Sequence, residues 1–268
     1  MSQSAASGTH LVLIPSYNSG PQLLQTVREA RAVWNPVWVV IDGSDDGSGQ
    51  ALAEATRGDP GVRLIELTRN GGKGAAILAG LDAAAAAGFT HALTMDGDGQ
   101  HPAGLIGRFM DASRGAPDAM VLGVPRFGPE APAARVHGRR ISNLLTGLAV
   151  RAGGGAAATP GAGARIGDCL FGFRVYPIAP LRDVMHASRW MRRFDFDAEA
   201  AVRLCWAGIR PINLEAGVRY LRPEQGGVSH FRYGRDNLLL AWMHTRLLFS
   251  ALGRRMPLRT ARPRRRHA

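Results

Sequence analysis

The chain has 268 residues, 46% of them apolar, two cysteines and a formal net charge of +12. That length supports one large domain or two small ones with a sizeable core, while Cys169 and Cys205 do not amount to a disulfide framework. No stretch of 18 or more apolar residues lacks charges, which excludes a transmembrane helix.

The charge is uneven. Residues 1–130 carry 13 acids and 9 bases, whereas residues 131–268 carry 8 acids and 24 bases. The back half is therefore the part expected to meet an anion: phosphates, a membrane surface or nucleic acid. Residues 1–9 read as a flexible start. Met1 to Gly8 has neither the basic region nor the apolar core of a secretory signal, and a reducing cytoplasm is the expected compartment.

In chain order, Leu11 to Ile14 reads as a strand ended by Pro15-Ser16-Tyr17-Asn18, and a helix follows, with Pro21 at its start. Val37 to Ile41 is a second buried strand. It ends in Asp42-Gly43-Ser44-Asp45-Asp46-Gly47-Ser48, which reads equally as an acidic ligand loop or as a turn with a helix N-cap. Val62 to Leu67 alternates like a third strand. Arg69-Asn70-Gly71-Gly72-Lys73-Gly74 then opens an Ala-rich helix, Ala75 to Ala87, whose glycines form an anion-friendly backbone without P-loop spacing.

His91 to Met95 is an apolar run that stops abruptly at Asp96-Gly97-Asp98-Gly99-Gln100-His101-Pro102. That collection cannot continue a sheet. It can place oxygen ligands around a hard divalent cation, at the carboxyl end of a strand where open α/β sheets bind ligands. The plain alternative is an ordinary acidic turn. Ala119 to Gly123 is a further strand. Strand and helix alternate throughout this half, as in a doubly wound α/β layer.

The second half is less regular. Arg126, Arg135, Arg139 and Arg140 precede an apolar helical run, Ile141 to Val150. Residues 152–164, almost wholly Gly, Ala, Thr and Pro, read as a mobile loop. Asp168 to Tyr176 reads as a strand. Asp195, Asp197 and Glu199 open a helix. Acids suit a first turn, but three in five residues exceed what capping needs, so they are also candidate proton acceptors. Arg222, Ser229, His230 and Arg232, with Gly226 and Gly227 among them, form a cluster suited to wrapping a pyrophosphate. Residues 236–252 read as an amphipathic helix lying on the core or on anionic lipid. Residues 253–268, with seven arginines and no acid, read as a disordered basic tail.

Taken together, these motifs resemble the family-2 glycosyltransferases of the GT-A fold, and within them the dolichyl- and polyprenyl-phosphate mannose synthase-like branch. The resemblance rests on Ile14 to Asn18, Val39 to Ser48, Asn70 to Gly74, Asp96 to Pro102, and Asp168 with Gly172-Phe173-Arg174. It covers residues 10–235 and implies a Rossmann-like, mostly parallel central sheet with helices on both faces. It also implies a nucleotide-sugar donor (UDP- or GDP-sugar), a cation (Mg²⁺ or Mn²⁺), a lipid acceptor and inverting transfer. The apolar Ile141 to Val150 run, the Gly/Ala loop and the C-terminal helix together suggest a peripheral place on the cytoplasmic face of a membrane. Pro15, Tyr17 and Asp42 would hold base and ribose. Lys73 and Asp96 would also serve the donor, with Arg222, Ser229, His230 and Arg232 on its phosphates. Asp98 and Gln100 would meet the cation, and Arg139, Arg140 and Arg174 the acceptor. If the acceptor is a hydroxyl, Asp197 is the first choice of base, followed by Asp195 and Glu199. The family pattern has paired acids at the end of the second strand, and Ile41 stands in the first of those places here.

Three rivals remain. A dinucleotide oxidoreductase needs Gly-x-Gly-x-x-Gly after the first strand, where this chain has Pro15-Ser16-Tyr17-Asn18. A specific nucleic-acid binder is disfavoured by the absence of a recognition motif and by few aromatics near the arginines. A catalytically silent sugar-nucleotide binder shares every motif of the enzyme.

Overall fold

The structure is a computed structural model that describes residues 6–127, 133–154, 165–219 and 233–255. A seven-stranded sheet forms its centre, in the order β3-β2-β1-β4-β6-β5-β7. The strands are β1 (His10–Ser16), β2 (Val37–Asp42), β3 (Val62–Leu67), β4 (His91–Thr94), β5 (Ala119–Arg126), β6 (Arg174–Pro177) and β7 (Arg210–Gly217). Neighbouring strands are parallel except where β6 runs against β4 and β5.

β1, β2 and β4 are buried along their whole length. That explains their continuous apolar runs, because helices cover both faces. Alternate residues serve opposite faces. Val12 and Ile14 pack on α1 (Gln22–Val33), α2 (Ser48–Ala55) and α4 (Ile106–Gly115). Leu11 and Leu13 pack on the other side, whose core is completed by α3 (Lys73–Ala86), α5 (Ala133–Gly153), α6 (Ile178–His186), α7 (Phe196–Trp206) and α8 (Tyr233–Arg255). α3 lies so close to the sheet that a Cβ on Gly80 would stand 2.5 Å from Leu13 Cδ1. The edge strand β3 has no fully buried residue and carries exposed Arg63 and Glu66, which blunt an exposed edge.

The mixed α/β sheet with helices on both faces is the architecture the sequence implies. One expected strand is shorter than its apolar pattern suggests. In Asp168 to Tyr176, the Asp168 carboxylate accepts N–H bonds from Leu170 (2.9 Å) and Phe171 (2.7 Å). This local turn holds the segment out of the sheet until Arg174. The C-terminal helix lies on the core through Met243, Leu247 and Ala251. Most of the expected Gly/Ala loop, like residues 256–268, lies outside the described residues.

Candidate active site

The strand order reverses direction between β1 and β4, so their carboxyl ends flank the crevice where such sheets bind ligands. Pro15 and Ser16 on β1 stand opposite Val40 and Ile41 on β2. Pro15 is buried, and Tyr17, the next residue but one, is 37% exposed. Asp42 ends β2, and Asp96 follows β4 at one residue's remove. Three loops from distant parts of the chain thus meet at one edge.

The acidic turn after β2 stitches these loops together. Asn18 Nδ2 donates to Asp45 (2.7 Å), the Asp45 N–H returns a bond to Asn18 Oδ1 (3.0 Å), and the Gly20 N–H donates to Asp46 (2.8 Å). Asp42 accepts the N–H groups of Gly71 and Gly72, both at 2.8 Å. The anion at the glycine-rich start of α3 is therefore the protein's own carboxylate. Asp42 is 2% exposed, so as placed it clamps this turn and offers a donor no surface. Ile41 is buried in the core against α2, which accounts for an apolar residue at that point.

The cluster proper surrounds Lys73, the only lysine in the chain. Its Nζ bonds Asp96 and Asp197, each at 2.7 Å. Burial pulls the ammonium down, but the two carboxylates outweigh it and hold it above the ordinary lysine value. Asp98 is pushed up to about 7, by burial first and by the Asp96 charge second. The Asp96 N–H donates to His101 Nδ1 (2.9 Å), so the ring carries its proton on Nε2, 3.7 Å from the Asp96 carboxylate. Burial lowers His101 to about 4, which keeps it neutral. Two carboxylates thus share one lysine, with the Asp98 carboxyl beside them.

Gly172 closes the cluster from above, held by its carbonyl to Thr94 Oγ1 at 2.9 Å. A Cβ there would stand 2.5 Å from Lys73 Nζ and 3.2 Å from Asp96 Oδ2. Gly172→Ala should therefore displace the lysine at a cost of about 1–3 kcal/mol, the range for overpacking. Chemical denaturation checks this: an unchanged midpoint would show that the loop yields freely.

The structure divides the remaining expected site residues. Arg139 lines a cavity of about 90 Å³ with Asp96, Gln100, His101, Phe127, Phe171 and Gly172. Its guanidinium is paired with Asp168, while its Nε is buried without a hydrogen-bond partner among the described residues. Arg140 is exposed and is not among the residues lining that cavity. Arg174 is fully buried and donates to Phe171 O, Tyr176 OH, Asp197 O and Asp168 O. It is a pillar under the site and, as placed, meets no acceptor.

Glu199 is likewise corrected. It is fully buried and bonded to Arg203 (2.8 Å) and Arg246 (2.7 Å), so it joins α7 to α8 and has no access to a substrate. Asp195 accepts the N–H groups of Met191 and Arg193, which shapes the turn before α7. Of the three acids only Asp197 reaches the cluster, and its Oδ1 is buried without a partner among the described residues. Arg222, Ser229, His230 and Arg232 lie outside the described residues. Arg219, just before that segment, donates its N–H to the Gln100 carbonyl at 3.0 Å. Sequence reasoning overlooked two things here, the orienting role of His101 and the reach of Lys73 across 124 positions to Asp197.

This layout has a counterpart in a known family. The model of "Glycosyl transferase family 2" matches residues 11–183, a span holding Asp42, Lys73, Asp96, Asp98, Gln100 and Arg139. The chain belongs to glycosyl transferase family 2. Among related family members, the polyprenol monophosphomannose synthase of Mycolicibacterium smegmatis is 35% identical over 105 residues, which is 38% of this chain and 40% of that enzyme. The undecaprenyl-phosphate mannosyltransferase of Micrococcus luteus is 27% identical over 81% of this chain and 85% of its own length. In fold, this family 2 chain is similar to residues 1–349 of TarS from S. aureus, solved with UDP-GlcNAc. The TM-score is 0.53 at 16% identity, covering 92% of this chain and 72% of that one.

Proposed function

We propose that this family 2 glycosyl transferase moves a sugar from a nucleotide-sugar donor to a polyprenyl phosphate at a membrane surface, with inversion and with Mg²⁺ or Mn²⁺. The observation that carries this reading is the surplus of negative charge at the end of β4. Asp96 and Asp197 pair with Lys73, Asp98 adds a third carboxyl beside Asp96, Arg174 is a second cation within their field, and the nearby His101 is neutral. Among the described residues no three His, Cys, Asp or Glu side chains are grouped to hold a metal alone. That suits a cation bound by one or two protein groups and completed by substrate phosphates. Asp98 and Gln100 would hold it, and when bound it would neutralise the charge growing on the departing diphosphate.

The chain's own residues supply the rest. Lys73 fixes Asp96 and Asp197 on either side of the crevice, and Gly172 lets their carboxylates approach. Arg139, across the same cavity, presents positive charge to an anionic acceptor. A lipid phosphate arrives with its nucleophilic oxygen already ionised, so no side chain has to remove a proton. Asp197, tied to Lys73, is then a positioning group. Mannose is the sugar named in both relatives and is the first choice here. No helix among the described residues is long and apolar enough to cross a membrane, and a peripheral, cytoplasmic-face location completes the reading.

The test is transfer from labelled GDP- and UDP-hexoses to a prenyl phosphate, with Mn²⁺ or with EDTA. A lipid-soluble labelled product formed only with the cation is expected. Product on a lipid alcohol but not on the phosphate would replace the acceptor. Donor binding with neither transfer nor hydrolysis would mean a silent binder.

A further inference from the structure

α5 and α8 pack side by side, and near their ends Arg254 Nε donates to the Gly153 carbonyl at 3.4 Å. Each helix has a fully buried inner stripe, Thr146 and Ala149 on α5, Met243, Leu247 and Ala251 on α8. Each also has an outer stripe at helical spacing that no described residue covers. Ile141, Leu144 and Leu148 are 58%, 59% and 43% exposed. Leu238, Trp242 and Phe249 are 73%, 53% and 71% exposed. Exposed apolar stripes on two adjacent helices mark an interaction site.

The charges around it select the occupant. α5 contains no acidic residue at all. α8 contains one, Asp236, which is only 6% exposed. The exposed ionic groups on both helices are arginines: Arg140 and Arg151 beside the first stripe, Arg235 beside the second. Seven more arginines and no acid occupy residues 253–268, two of them in the last turn of α8. A protein interface between two copies would set these arginines against each other. A bilayer rich in anionic lipid accepts the apolar side chains below its headgroups and the arginines among its phosphates.

The geometry points to the paired outer faces of α5 and α8 as the surface on which this protein lies on an anionic membrane, with Leu144, Leu148, Trp242 and Phe249 entering the lipid. The inference rests on the lipid-acceptor reading and gives the membrane contact a location. It also gives Arg140, which is absent from the site cavity, a partner in a lipid phosphate.

The experiment uses the full chain, basic tail included, and a Trp242→Ser/Phe249→Ser variant, whose changes are confined to exposed positions. Co-sedimentation is measured with phosphatidylcholine vesicles and with vesicles containing phosphatidylglycerol, alongside transfer to a short, water-soluble prenyl phosphate. Wild type should bind the anionic vesicles, and the variant should bind them at least tenfold more weakly with unchanged transfer in solution. Equal vesicle binding by both would assign attachment to the tail alone and overturn the inference, as would no binding by either. A wild-type dimer that the variant loses would make the surface a self-interface and overturn it too. Stripe-dependent vesicle binding without transfer to any prenyl phosphate would instead sink the acceptor reading and leave the surface standing.

Discussion

Lys73→Met should cost the fold about 3–5 kcal/mol and slow sugar transfer by about 10²-fold or more. The first figure is what removing one partner from a buried ion pair costs, because the remaining charge is stranded. Here two carboxylates are stranded, Asp96 and Asp197, each 2.7 Å from the lost ammonium. The second figure is the penalty for shifting reacting groups by about an ångström. Among the described residues no other ion pair holds Asp197 to the β4 loop. The pH dependence has a definite sign. In the wild type, burial raises Asp96, but Lys73 outweighs it and the carboxyl sits below its ordinary value of 3.8. That contributes stability at neutral pH which is lost only as pH falls through the lowered value. In the variant the burial remains and the ammonium is gone, so Asp96 should rise above its unfolded value and destabilise at neutral pH. Acid then relieves the variant. Urea unfolding at pH 7.5 and pH 5 should show the gap between the two proteins narrowing at the lower pH. A gap that is constant or wider in acid would mean that Lys73 does not carry the charge balance of the cluster.

The framework of this site was legible because it depends on local chemistry. Apolar runs ending in glycines and carboxylates locate the strand ends, and Asp96 to Pro102 announces itself through residues that cannot continue a strand. Nearest-neighbour logic stops there. Asp42, Asp45 and Asp46 look like ligand-binding acids in one dimension. In three, Asp42 accepts the N–H groups of Gly71 and Gly72, Asp46 those of Gly20 and Ser48, and Asp45 the Asn18 side-chain amide, so all three hold loops together. Asp195, Asp197 and Glu199 look alike on one helix turn. A helix sends successive side chains in different directions, so only Asp197 meets Lys73 while Glu199 meets Arg246. Arg174 reads as a basic residue available for an anion. It is enclosed because the Asp168 turn leaves carbonyls of Asp168 and Phe171 that need a buried donor. Pairings across a hundred residues leave no periodic trace, and those pairings decide which acids work on substrate and which work on the fold.

The same surplus of negative charge makes Asp98→Asn a variant that should gain stability and lose function. The Asp98 carboxyl is pushed up to about 7, by burial and then by Asp96. A carboxyl whose folded value lies above its unfolded one is tolerated when protonated. Its cost grows as pH rises from about 4 towards 7 and is constant beyond that. Asparagine keeps the Oδ1 that accepts the Gln100 N–H at 3.0 Å, so the loop should be preserved while the charge disappears. In EDTA at pH 8 the variant should melt above the wild type. A gain of 1 kcal/mol would appear as about 2–4 °C in a domain of this size. At pH 4 the two should coincide. Adding Mn²⁺ and nucleotide should reverse the order at pH 8, because a ligand bound only to the folded wild type raises its midpoint by mass action. Transfer by the variant should fall about 10²–10³-fold, the scale on which a single group stabilising transition-state charge acts. A variant less stable than wild type in EDTA at pH 8 would show that Asp98 is not under repulsion. One that kept the Mn²⁺-dependent rise would move the cation to other ligands. If both expectations hold, the β4 loop carries a charge held in place at the expense of the resting protein, which is the arrangement expected of a site built for a cation that comes with its substrate.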